Sequence, residues 1–335
     1  MQGNAYDMIY KAWRNKKMEM GTSSRIGDLM PAVNAREVFG KAFPKHVTLI
    51  EVGPRDGFQY EEKTVPTVLK LEIIRRLVDA GFKHIQVASF VHPGKVPQMA
   101  DAEILLSALS GIPGVAFSAL ALNMAGVERA ISSNLAHIEV SISASNRHSL
   151  NNTGMSADAA LKMGLNMVAL SKRHGMHVRA GIQCAFGCGY GETISEDRIA
   201  AIAKDLVTAG ADMLCLSDTT GMATPLTVHQ ILCSVGPVAG NLPIVLHFHD
   251  TRGLGLANVM AAMSCGISHF DTALAGMGGC PFIPGAAGNI ATEDTLYLLS
   301  SLHIETGLNQ SEIAGCSRDL EVFFGKRFPG KLYRH

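Results

Sequence analysis

Residues 177–217, HVRAGIQCAFGCGYGETISEDRIAAIAKDLVTAGADMLCLS, contain the repeating unit that decides the fold class. An apolar, β-rich run, His177–Cys184, is followed by a helix-period segment, Ile194–Ala209, and then by a second apolar run, Asp212–Ser217. Gly210 stands where such a helix must end, and glycine is the residue that most easily adopts the left-handed conformation there. The pattern predicts a strand, a crossover helix and a second parallel strand.

The same alternation extends along most of the 335-residue chain. The predicted strands are Val47–Val52, His84–Ser89, Val115–Leu120, His137–Ile142, His177–Cys184, Asp212–Ser217, Pro243–His249 and His269–Leu274. The predicted helices between them include Pro66–Ala80, Ser156–His174, Ile194–Ala209, one that opens at Thr224 and ends near Gly236, and Leu256–Cys265. Eight β/α units favour an α/β fold of the closed (β/α)8 TIM-barrel type over an open doubly wound sheet.

Three segments are expected. Residues 46–307 form the catalytic barrel, residues 1–45 form an N-terminal extension, and residues 308–335 form a C-terminal helical cap. Within the extension, Ala5–Met20 is predicted to be an amphipathic helix that carries the single tryptophan, Trp13. The first twenty residues contain several charged side chains and no apolar run, so no secretory signal is predicted.

Composition excludes several classes of function. Lysine plus arginine number 29 and aspartate plus glutamate number 29, and this balance argues against nucleic-acid or membrane-surface binding. The uncharged run Ile104–Val127 is long enough to span a bilayer, but its Gly, Pro and Asn residues favour a helix end, a turn and a short strand. The seven cysteines, an odd number, indicate a reduced, cytoplasmic protein. Cys184 and Cys188 lack the second pair that a zinc site needs.

Polar residues gather where the predicted strands end, which is where barrel enzymes place their chemistry. Arg55 and Asp56 follow strand one, either as site residues or as a local ion pair. Asp218 follows strand six, where it is also suited to capping the next turn. His247 and His249, at positions i and i+2 of strand seven, point to the same face and favour a metal.

Two further polar features are notable. Gln86 lies within strand two, where a buried polar side chain needs hydrogen-bond partners, and Ser89 ends that strand. Cys280 lies in the glycine-rich loop after strand eight, where a thiol is open to chemistry, and the loop continues to Asn289.

The motifs EVGPRDGFQYE, SFVHPGKVPQM, SDTTGMATP, HFHDTRGLGLAN and AGMGGCPFIPGAAGNIATED resemble the 3-hydroxy-3-methylglutaryl-CoA lyase family. That family belongs to a superfamily of metal-dependent barrel lyases, aldolases and synthases. The resemblance runs from about Val47 to about Gly307, and the GGCPF loop together with the HxHD strand is specific. Residues 1–45 lie outside it.

The resemblance implies a role for each matching position. It implies divalent-metal ligands, with Mg²⁺ or Mn²⁺ as the cation, at Asp56, His247, His249 and Asn289. It implies catalytic residues at Arg55, which steadies an enolate, at Cys280 and at Asp218. The residues expected to bind substrate are Gln59, Gln86, Ser89 and Arg147.

The expected reaction is a retro-Claisen cleavage of a 3-hydroxyacyl-CoA, such as 3-hydroxy-3-methylglutaryl-CoA, to acetyl-CoA and acetoacetate. The alternatives are an aldolase or a Claisen-type synthase acting on a 2-oxo acid, and a non-catalytic barrel subunit. The expected partners are a small acyl-CoA or hydroxy- or oxo-acid substrate and further copies of the chain, with neither nucleic acid nor membrane.

Two departures from the family pattern stand out. Strand two carries Gln86 where the family carries Glu, so the position keeps an acceptor oxygen but loses the charge. Gln86 is a tolerated positional residue, the mark of a changed substrate, or the mark of an inactive homologue. After strand four, where the family commonly has lysines near the CoA phosphates, this chain offers only Arg147 and His148.

Overall fold

Eight parallel strands close into a barrel in the computed structural model, which describes residues 43–280 and 283–335. Each strand pairs with the next, and the eighth pairs with the first through the register Thr48 to His269 and Glu51 to Thr272. The strands are β1 Thr48–Glu51, β2 His84–Ser89, β3 Ala116–Ala121, β4 His137–Ser143, β5 His177–Gln183, β6 Met213–Ser217, β7 Ile244–His247 and β8 His269–Thr272. The predicted TIM barrel is confirmed.

Helices connect the strands and surround the barrel. They are α1 Thr67–Asp79, α2 Ala102–Leu109, α3 Met124–Ser132, α4 Asn146–Thr153, α5 Ala157–Arg173, α6 Glu196–Thr208, α7 Pro225–Ala239, α8 Gly255–Ser264, α9 Thr292–Ser301 and α10 Gln310–Phe324. The uncharged run 104–127 is divided among α2, β3 and α3, as the sequence predicts. None of the helices in the described ranges is long and apolar enough to cross a membrane. The predicted helix Ala5–Met20 lies outside the described residues.

Capping residues fix the helix ends. Helix α7 begins with a capping box in which Thr224 and Thr227 exchange bonds, and Pro225 follows at the first helical position. Gly81 and Gly210 end α1 and α6 with φ of 106° and 102°. The prediction that α7 ends near Gly236 is short by one turn. The helix continues to Ala239, and Gly240, at φ 60°, ends it by donating its N–H to the Gly236 carbonyl at 3.1 Å.

Apolar side chains are distributed unequally between the two sides of the sheet. Most of the buried apolar residues lie between the strands and the surrounding helices. The barrel interior has a small separate cluster, made of Ile50, Val52, Cys215, Val245 and Ala273. Buried polar residues, Gln86, Glu139, Arg179 and Asp271, also point into this interior. Barrel interiors are usually filled by branched apolar side chains, and this interior departs from that pattern.

The chain after the barrel adds helical packing. Helix α10 begins at Asn309, whose side chain accepts from Ser311 N and Glu312 N, and a short 3₁₀ turn at Leu332–Arg334 follows it. Tyr333 in that turn is fully buried. A two-stranded hairpin, β9 Gly279–Cys280 and β10 Ile283–Ala287, rises from the loop after β8.

Candidate metal-dependent active site

Arg55 and Asp56 are positioned by a π-helical turn, Gly53–Gly57, at the end of β1. The Asp56 N–H donates to the Val52 carbonyl at 2.7 Å, which curls the chain so that both side chains face the barrel mouth. Their side chains form an ion pair, and Arg55 is buried. The local-ion-pair interpretation is therefore correct and is compatible with a role in the site. Gln59 donates to Asp56 Oδ1 at 3.2 Å.

His247 ends β7, which is shorter than the predicted strand, and His249 lies two residues beyond it. The two rings still face each other, as their spacing predicts. Their Nε2 atoms are 3.2 Å apart, and both side chains are buried. Nδ1 of His247 lies 3.0 Å from Asp271 Oδ2. A carboxylate only accepts hydrogen bonds, so Nδ1 carries the proton and Nε2 keeps a free lone pair directed into the site.

Asn289 reaches the site because the loop after β8 returns beside the end of β7. The Asp250 N–H donates to the Gly288 carbonyl at 2.7 Å, and residues 249 and 289 form an antiparallel bridge. The Asn289 amide donates to Asp56 Oδ2 at 2.7 Å and to the Met277 carbonyl at 2.9 Å. Its Oδ1 atom is buried and has no hydrogen-bond partner.

These four residues form a set that fits a divalent cation. One ligand atom each from Asp56, His247 and His249 lies within 4.8 Å of the others, and this is the cluster of that kind found among the described residues. Two imidazoles, one carboxylate and the unpartnered Asn289 oxygen suit an ion such as Mg²⁺ or Mn²⁺ and leave positions for a substrate. A buried amide oxygen without a partner is costly, and a cation would satisfy it.

Electrostatics keep these ligands in metal-binding protonation states. Burial raises the pKa of Asp56, but the charges of Arg55 and the two histidines outweigh it and hold the pKa below its usual range. Burial and the neighbouring His247 lower the pKa of His249 to about 3. Asp56 is therefore a carboxylate and His249 a neutral imidazole near neutral pH.

Asp218 caps the turn after β6 and keeps one carboxylate oxygen without a partner. Its Oδ1 accepts from the N–H groups of Met222 and Ala223, so it does cap the turn after β6. Its Oδ2 is buried without a partner, and burial raises the pKa of the carboxyl to about 6. The adjacent Ser217 and Thr219 line the cavity at the barrel mouth.

Of the four predicted substrate-binding residues only Gln59 lines that cavity; Gln86, bonded to Arg55, Ser89 and Arg147 do not. Ser89 is fully buried at the end of β2, and its hydroxyl has no hydrogen-bond partner. Arg147 lies on the exposed start of α4, where it donates to the Tyr190 carbonyl at 3.1 Å. From the same helix, His148 and Asn152 do line the cavity.

The loop that carries Cys280 is held by close packing. The ring of Tyr60 lies against Gly279, and a Cβ at position 279 would be 2.0 Å from Tyr60 Cε1. Gly288 fits as closely, because a Cβ there would lie 2.5 Å from the Gly278 carbonyl carbon. The glycines thus allow the loop to fold over the site. The Cys280 side chain lies outside the part of the chain that is described.

A cavity of about 410 Å³ opens above the cluster. Polar groups form its floor, including Arg55, Asp56, His247 and His249. The apolar part of its lining includes Val91 and Val96 after β2 and Leu120 and Leu122 at the end of β3, and Lys95 and Tyr60 also line it. The cavity therefore offers an anion-binding, metal-binding end and an apolar side.

A chain of buried charged groups beneath the cavity was not identified from the sequence. Arg179 on β5 pairs with Asp271 on β8, and its Nε lies 3.1 Å from Glu139 Oε2 on β4. Asp271 in turn orients His247. Each of these charges interrupts an otherwise apolar strand run, HIEVSI, HVRAGI or HFDTAL, and that interruption is the signal in the sequence.

The closed barrel, with two histidines, a carboxylate and an amide at its carboxyl end, defines a class of metal-dependent barrel enzyme. The sequence model of the HMGL-like family matches residues 46–320. A hydroxymethylglutaryl-CoA lyase of Arabidopsis thaliana is 35% identical over 85% of this chain, although the match spans only 61% of that longer protein. A 3-hydroxy-3-isohexenylglutaryl-CoA/hydroxymethylglutaryl-CoA lyase of Pseudomonas aeruginosa is 36% identical over 84% of this chain and 94% of its own.

A solved structure supports the same family assignment. The HMG-CoA lyase of Acinetobacter baumannii, in complex with coenzyme A and 3-methylmalate, superposes with a TM-score of 0.82 and 34% identity, covering 87% of this chain and 95% of that one. The chain belongs to the HMGL-like family of carbon–carbon lyases. The resemblance inferred from the motifs is confirmed.

Proposed function

We propose that this protein cleaves 3-hydroxy-3-methylglutaryl-CoA or a close relative to acetyl-CoA and a 3-oxo acid, with a divalent cation as cofactor. The observation that carries the proposal is the set Asp56, His247, His249 and Asn289: the first three line one cavity together with Arg55, and Asn289 is bonded to Asp56. The A. baumannii enzyme, with its coenzyme A and 3-methylmalate, supports a thioester substrate. The 2-oxo-acid alternative is not favoured by the similar proteins.

Four residues of this chain are proposed to bind the metal. Asp56, His247, His249 and Asn289 would hold the cation, which when bound lowers the pKa of a coordinated hydroxyl and stabilises the alkoxide. Asp271 keeps the proton of His247 on Nδ1, so that Nε2 remains a ligand. Mg²⁺ and Mn²⁺ both suit this oxygen- and nitrogen-rich set.

The bond changes define what the remaining residues do. The C3 hydroxyl loses its proton and the C2–C3 bond breaks, so C3 becomes the ketone of acetoacetate. The bonding pair passes to C2 as a thioester enolate, which takes a proton to become acetyl-CoA. Arg55 stabilises the enolate charge. Cys280 is proposed as one proton-transfer group, and Asp218, with its unpartnered Oδ2, is a second.

Of the remaining residues, Gln59 lines the cavity and is proposed to bind substrate, and Gln86 bonds to Arg55 below the cavity. Ser89 is buried away from the cavity, and Arg147 at the exposed start of α4 is proposed to bind the phosphates of CoA. Removing Arg147 should raise the KM for the thioester and leave kcat nearly unchanged.

A second substrate is favoured by the apolar wall. Val91, Val96, Leu120 and Leu122 face the cavity together, and such a wall accommodates an apolar substituent at C3 larger than methyl. The P. aeruginosa relative is described for an isohexenyl-substituted glutaryl thioester as well as for the methyl compound. We therefore include the isohexenyl thioester among the substrates to be tested.

Location and assembly are also proposals. The six described cysteines are free, which supports a reducing, cytoplasmic environment. Assembly into a homo-oligomer is proposed with Val68 and Val322 as contact residues, since these exposed apolar side chains lie on α1 and α10, which pack against each other. Sedimentation of the full chain and fractionation of the source cells would test the two statements separately.

A direct assay tests the activity. Purified protein is treated with a chelator, then supplied with Mg²⁺, Mn²⁺ or neither, and incubated with each thioester and with the corresponding free acids. A 4-hydroxy-2-oxo acid is included as the substrate of the aldolase alternative, and the 3-oxo acid or 2-oxo acid released is measured. We expect metal-dependent carbon–carbon cleavage of at least one thioester and of neither kind of free acid. Cleavage of the free 2-oxo acid, or no cleavage with any metal, would contradict the proposal.

A further inference from the structure

Gln86 lies between two oppositely charged side chains inside the barrel. Arg55 Nε donates to its Oε1 at 2.5 Å, and its own Nε2 donates to Glu139 Oε2 at 2.6 Å. Gln86 is fully buried, and Glu139 is only 4% exposed. One amide thus connects the arginine at the end of β1 with a carboxylate on β4.

The amide is the group that suits this position. A guanidinium only donates hydrogen bonds and a carboxylate only accepts them, so a residue between them must accept on one side and donate on the other. A glutamate at position 86 would still accept from Arg55, but it would face Glu139 with a second carboxylate. Two buried carboxylates at this distance repel each other, and one of them would have to take up a proton.

Glu139 is itself held in place. Its Oε2 lies 3.1 Å from Arg179 Nε, and Arg179 is anchored from its other side by Asp271. Glu139 also lines the cavity above the metal-binding cluster. The negative charge of Glu139 is therefore fixed one side chain away from Arg55.

The contacts restrain Arg55 at two atoms. Nε binds Gln86 and Nη1 pairs with Asp56, so the plane of the guanidinium is set, and neither contact uses Nη2. A guanidinium fixed in this way meets a developing charge without reorganising, which is the condition for effective electrostatic stabilisation.

We propose that Glu139 is a positioning residue: acting through the Gln86 amide, it fixes Arg55 and supplies the buried negative charge that a strand-two carboxylate would otherwise supply. The inference rests on the proposed role of Arg55 at the enolate. Gln86 is then neither a neutral replacement nor a sign of lost activity, because its amide and the Glu139 carboxylate form a matched pair.

Exchanging the two residues tests the pairing. The variants are Glu139→Gln, Gln86→Glu and the double variant that carries both changes and so moves the carboxylate from β4 to β2. We expect each single change to lower kcat by about 10-fold to 100-fold with little effect on KM, the usual range when an outer partner is lost. We expect the double variant to recover to within a few-fold of the original protein.

A purely structural role for Glu139 gives a different result. If its only function were to pair with Arg179, the double variant would still lack that partner and would show no recovery. Absence of recovery in a protein whose single variants are impaired overturns the proposal. If Glu139→Gln does not fold, Glu139→Asp replaces it, since the shorter side chain keeps the charge but withdraws from Gln86.

A measurement without substrate separates this inference from the proposed activity. The Nε–H of Arg55 gives an NMR signal, assigned by its loss in Arg55→Lys. We expect slow hydrogen exchange of that proton in the original protein, faster exchange in Glu139→Gln, and slow exchange again in the double variant. If the thioester is not cleaved but this pattern holds, the proposed activity fails and the positioning role stands. Unchanged exchange in Glu139→Gln overturns the positioning role whatever the activity.

Discussion

The two ends of the barrel use the same residue type in different ways. At the carboxyl end of β7, His247 and His249 face each other within a cluster that includes Asp56 and Asn289. At the amino end, four strands begin with histidine, at His84, His137, His177 and His269. His137 and His177 pack with ring centroids 5.3 Å apart beside a small cavity of about 110 Å³.

The histidines at the two ends of the barrel differ in the side chains that surround them. At the carboxyl end, His247 has a carboxylate on each side, Asp271 behind it and Asp56 in front, and these orient its ring toward the candidate metal site. The histidines at the amino end lie mainly beside one another, and burial lowers the pKa of His84, His137 and His269. Position along a strand therefore decides whether a histidine serves chemistry or packing, as expected for barrels whose function lies at the carboxyl end.

The largest effect on activity should come from a change at the carboxyl end of the barrel, where the candidate metal site lies. His247→Ala removes a central ligand, so we expect loss of bound metal and a fall in turnover well beyond the roughly 100-fold limit typical of residues that only orient a ligand. Metal content by mass spectrometry and thioester cleavage measure this. The matched control is His137→Ala at the amino end of β4, on the side of the barrel away from the candidate metal site. This variant should keep its metal. A fully metal-loaded His247→Ala protein would show that the site is elsewhere.

Substitution of Cys280 tests whether the loop after β8, at the carboxyl end of the barrel, takes part in the reaction. Proton transfer by a positioned group contributes about 10²–10⁴-fold, so we expect Cys280→Ser to reduce kcat by about 10²-fold. Alkylation should inactivate the protein, and bound substrate should slow the inactivation. Cys233→Ser, which removes an exposed thiol from α7, should change neither result. Near-normal turnover in Cys280→Ser would limit the role of the loop to closing the site.

Asp271 tests how far the orientation of His247 matters. Asp271→Asn keeps the size of the side chain but removes the carboxylate that accepts from Nδ1, so Mn²⁺ affinity should fall by about 10–100-fold. Titration calorimetry or Mn²⁺ spectroscopy measures the affinity. The control is Asp212→Asn, which removes an ion pair with Lys172 before β6 and should leave metal binding intact. Equal Mn²⁺ affinity in both variants would separate Asp271 from the metal site.

The smallest effect should come from a change at the amino end of the barrel. It should appear only in the free energy of unfolding. A histidine whose pKa is lowered in the folded protein contributes stability that is fully present above its unfolded value of about 6.5. That stability is lost as the pH falls from there toward the folded value, because the unfolded chain takes up the proton first. His137→Gln should therefore weaken the loss of stability between neutral and mildly acidic pH while leaving turnover unchanged. Urea unfolding at several pH values measures this slope, and a slope identical to that of the original protein would contradict it.

The sequence by itself determined the fold class and most of the residues of the site. Apolar runs that alternate with helix-period segments have few ways to bury their faces, so eight of them specify a barrel. The i and i+2 spacing of His247 and His249 placed both on one face, because side chains alternate along a strand. Asp56, at the end of another strand, belongs to the same mouth for the same topological reason.

Other features were not predicted from the sequence. The true end of α7, one turn beyond Gly236, lies at Gly240, where a positive φ and a bond to the Gly236 carbonyl stop the helix locally. The position of Arg147 on an exposed helix surface, away from the cavity, follows from its bond to Tyr190. Neither contact is encoded in local periodicity, which reports only burial along one element.

The buried network under the site shows this limit most clearly. Gln86, Glu139 and Arg179 lie on three different strands, and nothing in their spacing along the chain shows that they meet. Closure of the barrel brings side chains from β2, β4 and β5 together in its interior, and only then does each charge acquire its partner. The sequence therefore indicated which residues are candidates for the chemistry, and barrel closure determined which of them touch, since a hydrogen bond depends on distance in space and not on distance along the chain.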